Sequence, residues 1–144
     1  MRLAILFLIL IFLLNIFFMV SNIEYAFKTL NVDPLLHFSG GIFIAMFFTA
    51  YLKNMSIGNP GSPKLKRILI LISVTVFIGV VWEFSEYLAT GFLGNYLYQK
   101  YRIICCMGGL DDTISDLLMD TLGAATFVLA TLIPLKSKSR LKRS

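Results

Sequence analysis

The amino-acid sequence predicts an all-α protein, a polytopic membrane bundle of about four transmembrane helices with both termini in the cytoplasm, built as one membrane domain over residues 1–144. Three observations carry this expectation. Hydrophobic residues fill 58% of the 144 positions and charged residues only 15%, with a mean hydropathy of +0.82, a balance that soluble globular domains do not show. The apolar residues gather into runs of roughly 20, the length that crosses a hydrocarbon core of roughly 30 Å. Basic residues stand at the ends of those runs, and the remaining chain is too short for a separate soluble domain.

The first run, Leu3 to Val20, is interrupted only by Asn15. It exceeds the usual apolar region of a signal peptide and no small-x-small cleavage site follows, so a retained first helix is expected over about 3–20. Ser21 to Asn31 mixes polar and apolar residues, with Tyr25 and Phe27 suited to an interface. Asp33 and Pro34 supply an accepting side chain and a fixed φ. They open a second helix over about 34–52, with Asp33 as its cap and His37 in its first turns. Between Lys53 and Arg67 the cluster from Gly58 to Pro63 is made of turn formers and marks a loop. The third helix, about 68–88, carries Trp82, Glu83, Glu86 and Tyr87 in its last two turns. From Ala89 to Leu110 the glycines, tyrosines, Lys100, Arg102 and the adjacent Cys105 and Cys106 read as a structured interfacial loop. The fourth helix, about 111–135, starts near Asp111 and precedes a basic tail over 136–144.

Charge fixes the expected orientation. Four spans place ten basic residues on one side (Arg2, four in the central loop, five in the tail) and Lys28, Lys100 and Arg102 on the other. The side richer in Lys and Arg faces the cytoplasm, which makes this a multi-pass protein of the plasma membrane. The net charge of +5 is not interleaved with aromatics along an exposed face, which argues against a nucleic-acid partner. Membrane lipids are the expected partners, with the tail touching anionic head groups. The neighbouring cysteines form no spaced disulfide framework.

The topology has a consequence that no single helix shows. His37 near the start of helix two, Glu83 and Glu86 near the end of helix three, and Asp112, Asp116 and Asp120 at the start of helix four all converge on the outer leaflet. The three aspartates recur every four residues and share one helix face. Asp120 lies roughly 13 Å along the helix from Asp111, at hydrocarbon depth, where a lipid-facing charge costs at least about 2.5 kcal/mol. These groups must therefore face the bundle interior or a hydrated cavity, and no lysine or arginine inside any helix neutralises them. Protons, a bound cation or a substrate must do so. Oxygen ligands with one imidazole suit a divalent metal ion such as magnesium, manganese or zinc. His37, Asp112, Asp116 and Asp120 are the candidate metal ligands, and Glu83, Glu86 and Asp116 the candidate acid–base groups. The competing reading is a protonated polar core that only joins helices. Gly40, Gly41, Gly123, Ala124 and Ala125 are expected to permit close helix packing.

Asp33, three intervening residues and His37-Phe38 resemble the opening motif of the VanZ-like membrane proteins, and Asp112-Thr113, Asp116 and Gly123-Ala124 are similar to their closing acidic and Gly-Ala motif. Trp82-Glu83 with Glu86-Tyr87 is similar to the related YjdF-type inner-membrane proteins. Pro34 stands where the family has lysine, and Glu86 where it usually has glutamine. The resemblance implies a compact helical membrane fold with a polar site. VanZ itself is associated with teicoplanin resistance, and the resemblance implies no defined reaction.

Two functional readings follow, with a non-catalytic scaffold as a third. In one, the protein binds or acts on a lipid or cell-envelope molecule at the outer leaflet. In the other, the carboxylates load and release a cation or proton in a transport element, expected to be a homo-oligomer because four short helices enclose a narrow path. The inner halves of helices two to four carry almost no ionisable residue, which favours the one-sided site.

Overall fold

The computed structural model describes residues 1–20, 32–54, 64–103 and 108–132. Among them all regular structure is helical: α1 (Arg2–Val20), α2 (Val32–Asn54), α3 (Lys64–Tyr101) and α4 (Leu110–Leu132). α2, α3 and α4 are long and apolar enough to cross a membrane, whereas the described apolar stretch of α1, Arg2–Phe18, is shorter. The expected tail, Pro134, Cys105, Cys106 and most of the central loop lie outside the described residues.

Burial is inverted relative to a soluble protein. Leu6, Phe17, Phe77, Phe84, Leu118 and Leu129 are among many exposed apolar side chains, while His37, Thr75, Glu83, Asp116 and Asp120 are buried. A lipid solvent rewards this arrangement, because apolar surface facing acyl chains carries no penalty and polar groups must be satisfied internally. Hydroxyls on the helices follow the same rule by donating to their own backbone: Ser39 to Leu35, Thr75 to Leu71, Ser85 to Val81 and Thr126 to Leu122, all between 2.7 and 2.9 Å.

α2 and α4 pack most extensively and run parallel, since Asp33 lies near Asp116, Gly41 against Asp120 and Ile42 against Gly123. A Cβ at Gly41 would overlap the Asp120 carbonyl, and one at Gly123 would overlap the Phe38 carbonyl. Absent side chains thus let two backbones touch, as small-residue seams do in membranes. α3 runs antiparallel to α4, with Glu83 beside Thr113 and Gly79 beside Asp120. α1 packs on the outside of α2 through Ala4 and a Phe7–Phe43 stack with centroids 4.4 Å apart, and touches α3 where Phe12 meets Trp82 edge-on at 6.1 Å.

Helix three does not stop near Leu88. It continues through Gly91 and Gly94 to Tyr101, so the expected loop from Ala89 is helical for four more turns. An isolated glycine costs a helix only about 1 kcal/mol. Here Ala89, Leu93, Leu97 and Gln99 favour the helix, and side-chain pairs one turn apart reinforce it: Gln99 donates to Asn95 at 3.1 Å and Lys100 to the Tyr96 hydroxyl at 2.9 Å. At 1.5 Å per residue the 38 residues of α3 reach roughly 57 Å, well beyond a bilayer core. Its last turns therefore project past the starts of α2 and α4. The helix ends at Arg102, whose φ of 57° turns the chain aside while its N–H donates to the Tyr98 carbonyl at 3.0 Å and its guanidinium sits 5.4 Å from the Tyr98 ring.

Candidate functional site

The parallel α2–α4 pair and the antiparallel α3 bring the N-terminal halves of two helices and the later part of a third to one end of the bundle, and the titratable side chains meet there. His37 is at the centre, 8% exposed. Its Nδ1 edge faces Asp120, with Oδ2 at 3.4 Å. Its Nε2 edge faces Glu83 Oε1 at 3.9 Å and Asp116 Oδ2 at 4.0 Å. One imidazole is thus flanked by three carboxylates from two helices, all buried.

Each carboxylate is placed by a different device. Asp120 is admitted by glycines: its carboxylate occupies the space that a Cβ at Gly79 would need, and Gly40 lies beside its other oxygen. Glu83 is oriented by Thr113, whose Oγ1 donates to Oε2 at 2.9 Å. Its second oxygen, Oε1, is buried with no hydrogen-bond partner. Asp116 is 2% exposed, and its Oδ1 is also buried without a partner. Buried unpaired acceptors cost about 1–3 kcal/mol each, more when charged, so a native protein retains two around one imidazole where something else engages them.

Asp33 belongs with this group. Rather than standing outside the helix as a cap, it lies in the first turn of α2, one turn before His37 and on the same face. Asp33, His37 and Asp116 each present one ligand atom, all within 4.8 Å of one another, the spacing of a set that could hold a metal ion. Asp112 is exposed, at the mouth, with its carboxylate lying against Gly108. Glu86 lies to one side: it is half-buried and accepts from Trp82 Nε1 at 2.9 Å. The expected residues therefore separate into an inner set of His37, Glu83, Asp116 and Asp120 and an outer pair of Asp112 and Glu86. Sequence reasoning favours a cap role for Asp33 over membership of the site, and it does not single out Gly79. The four-residue step from Asp33 to His37 was the available signal for the first, while Gly79 carries no local signal among the apolar residues of α3.

No lysine or arginine lies in α4, between Arg67 and Lys100 in α3, or in α2 before Lys53. The inner set thus carries more potential negative than positive charge, and chemically it can accept protons, hold a cation, or act as acid and base on a group brought to its mouth. Alongside, α1 and α2 leave an apolar groove of about 410 Å³ lined by Ile5, Leu8, Ile9, Phe12 and Phe47.

Comparison with known proteins gives two matches. Residues 1–137 fit the family model described as "Predicted membrane protein (DUF2238)". An "Uncharacterized protein" of Thermotoga maritima is 36% identical over 94 residues, covering 65% of this chain and 44% of that protein, so the aligned part spans less than half the relative's length. No solved structure matches.

Proposed function

This chain belongs to the DUF2238 family of membrane proteins, and from that premise we propose that it resides in the plasma membrane and binds or acts on a lipid or another amphiphilic cell-envelope molecule at the outer leaflet. The observation that carries this reading is the one-sided burial of His37 among Glu83, Asp116 and Asp120, with exposed Asp112 marking where the cluster opens. A polar head group would enter from that end. Glu83 and Asp116, with their unpartnered oxygens, would act as acid–base groups on it, with the cluster's charge balanced by a cation. Glu86, turned to Trp82, would line the approach rather than the centre.

Two further features support an amphiphile. The apolar groove begins at Phe12, which touches Trp82, the chain neighbour of Glu83, and reaches Phe47, ten residues and roughly 15 Å along α2 from His37. That distance suits a hydrocarbon tail whose head lies at the cluster. A transport path would instead need polar groups continuing to the opposite face. Thr75, Thr121, Thr126 and Thr131 are tied to carbonyls of their own helices, and among the described residues Thr49 is the only buried hydroxyl without a partner. The motif likeness to VanZ-like and YjdF-type proteins at Asp33–His37 and Asp112–Ala125 points to the same site.

Photoreactive lipid analogues in native membranes test the reading. Adducts should concentrate on the α1–α2 groove and on the rim around Asp112, and fall when Glu83 is replaced by Gln. Labelling spread evenly around the lipid-facing helix surfaces would refute it.

A further inference from the structure

We propose that Asp33, His37 and Asp116 bind one divalent metal ion, with Asp120 positioning the imidazole and Glu83 facing the ion's open side. The inference rests on the reading above that the cluster is cation-loaded, and it names the ion class and the ligands.

Geometry comes first. Three ligand atoms within 4.8 Å of one another share a point no farther than about 2.8 Å from any of them. Bonds of roughly 2.0–2.2 Å then need at most about 0.6–0.8 Å of contraction per side chain. Asp33 and His37 reach this point from one face of α2, and Asp116 reaches it from the parallel α4, so the ion bridges the two most extensively packed helices.

Unpaired atoms supply the second argument. Carboxylates can crowd without a ligand when they share protons or accept from neighbouring donors, but Asp116, almost fully buried, leaves Oδ1 with no donor. Glu83 likewise accepts from Thr113 on one oxygen and leaves Oε1 free, 3.9 Å from His37 Nε2. A metal ion held by both oxygens of Asp116, or by Oδ1 alone, would engage the first atom. A water molecule on that ion, donating to Glu83, engages the second.

The surrounding residues match the support that metal ligands usually receive. A ligating histidine is held through its other ring nitrogen, commonly by a carboxylate, and Asp120 stands 3.4 Å from His37 Nδ1 on the edge opposite Asp116 and Glu83. Gly79 and Gly40 leave space for the Asp120 carboxylate at that position. One imidazole with two carboxylates suits manganese, zinc or ferrous iron, whereas calcium takes six to eight oxygens. Asp112, exposed and turned to Gly108, is outside the set.

The test uses the full-length protein in mild detergent, stripped with a chelator and titrated with manganese or zinc chloride, with no lipid substrate added. Binding is followed by calorimetry, elemental analysis and manganese paramagnetic resonance, and folding by circular dichroism and gel filtration. Wild type should bind one ion per chain. Asp33→Asn and His37→Gln should weaken binding by at least 100-fold, Asp120→Asn by about 10–100-fold as for second-shell partners, and Asp112→Asn by less than about threefold. Metal should also raise the melting temperature of wild type but not of Asp33→Asn, a readout that holds where a variant is less stable. Absence of stoichiometric binding at millimolar metal would overturn the proposal, as would equal losses in Asp112→Asn and Asp33→Asn. Lipid adducts that persist without metal binding would overturn this inference alone, and metal binding without localised adducts would overturn the amphiphile reading alone.

Discussion

Replacing Gly41 by alanine tests whether the α2–α4 seam is what assembles the site. The added methyl would overlap the Asp120 carbonyl, so the helices must part or shift before it fits. Forcing extra carbon into a close-packed contact costs about 1–3 kcal/mol, while exchanging glycine for alanine inside a helix returns about 0.8–1 kcal/mol. Gly91 supplies the control, because a methyl there meets nothing within 4 Å and only the helix gain remains. The two variants differ by the packing cost alone, so Gly91→Ala should be about 0.5–1 kcal/mol more stable than wild type and Gly41→Ala about 1–3 kcal/mol less stable than Gly91→Ala. Gly123→Ala, aimed at the Phe38 carbonyl, should resemble Gly41→Ala. The double variant should lose less than the sum, because the seam needs to open only once. Reversible unfolding in mixed detergent micelles, followed by circular dichroism, provides the measurement. Stabilities of Gly41→Ala and Gly91→Ala agreeing within about 0.5 kcal/mol would refute the argument that backbone contact at this seam holds the cluster together.

Other perturbations probe single links. Thr113→Val removes the donor to Glu83 Oε2 and should cost about 1–3 kcal/mol in the same unfolding assay, whereas Thr126→Val, whose hydroxyl only serves its own helix on an exposed face, should stay within about 0.5 kcal/mol of wild type. Trp82→Phe deletes the hydrogen bond to Glu86 and should cost about 0.5–1.5 kcal/mol while leaving manganese affinity unchanged; a large loss of affinity would bring Glu86 into the inner set. The orientation proposed from basic-residue asymmetry predicts that Arg102→Cys, in a background with Cys105→Ser and Cys106→Ser, reacts with a membrane-impermeant maleimide in intact cells. Labelling only after permeabilisation would invert the topology.

Much of this arrangement was legible because lipid imposes strict rules. Apolar runs announce the helices, and alternate crossing alone brings His37, Glu83 and Asp116 to one end, where the structure also has them within 4 Å of one another through the imidazole. Less legible were features that depend on rotation about a helix axis. Asp112, Asp116 and Asp120 form one stripe in sequence, yet an accumulating drift of about 40° per step and the end of the helix leave Asp112 exposed. Glu83 and Glu86 look equivalent until Thr113 and Trp82 take one each. The end of α3 was misjudged because Gly91 and Gly94 signal a break only when nothing nearby sustains the helix, and pairs such as Lys100 with Tyr96 sustain it. Asp33 offered two local roles, and only the position of Asp116 on another helix decides between them.

The parallel pairing of α2 with α4 also bears on how the chain is made. α4 is the least apolar of the three long helices and enters the bilayer carrying Asp112, Asp116 and Asp120, each unfavourable by up to about 2.5–3.5 kcal/mol near the midplane for a lone segment. α2 emerges from the ribosome earlier, already presenting His37 and the glycine surface that α4 will meet. A helix with that burden would enter the bilayer at lower cost against α2 than alone, because the seam supplies its aspartates with a protein surface instead of lipid. Damage to the seam would accordingly appear first as chains that fail to integrate and are degraded, lowering the yield of protein before it alters the properties of the molecules that reach the membrane.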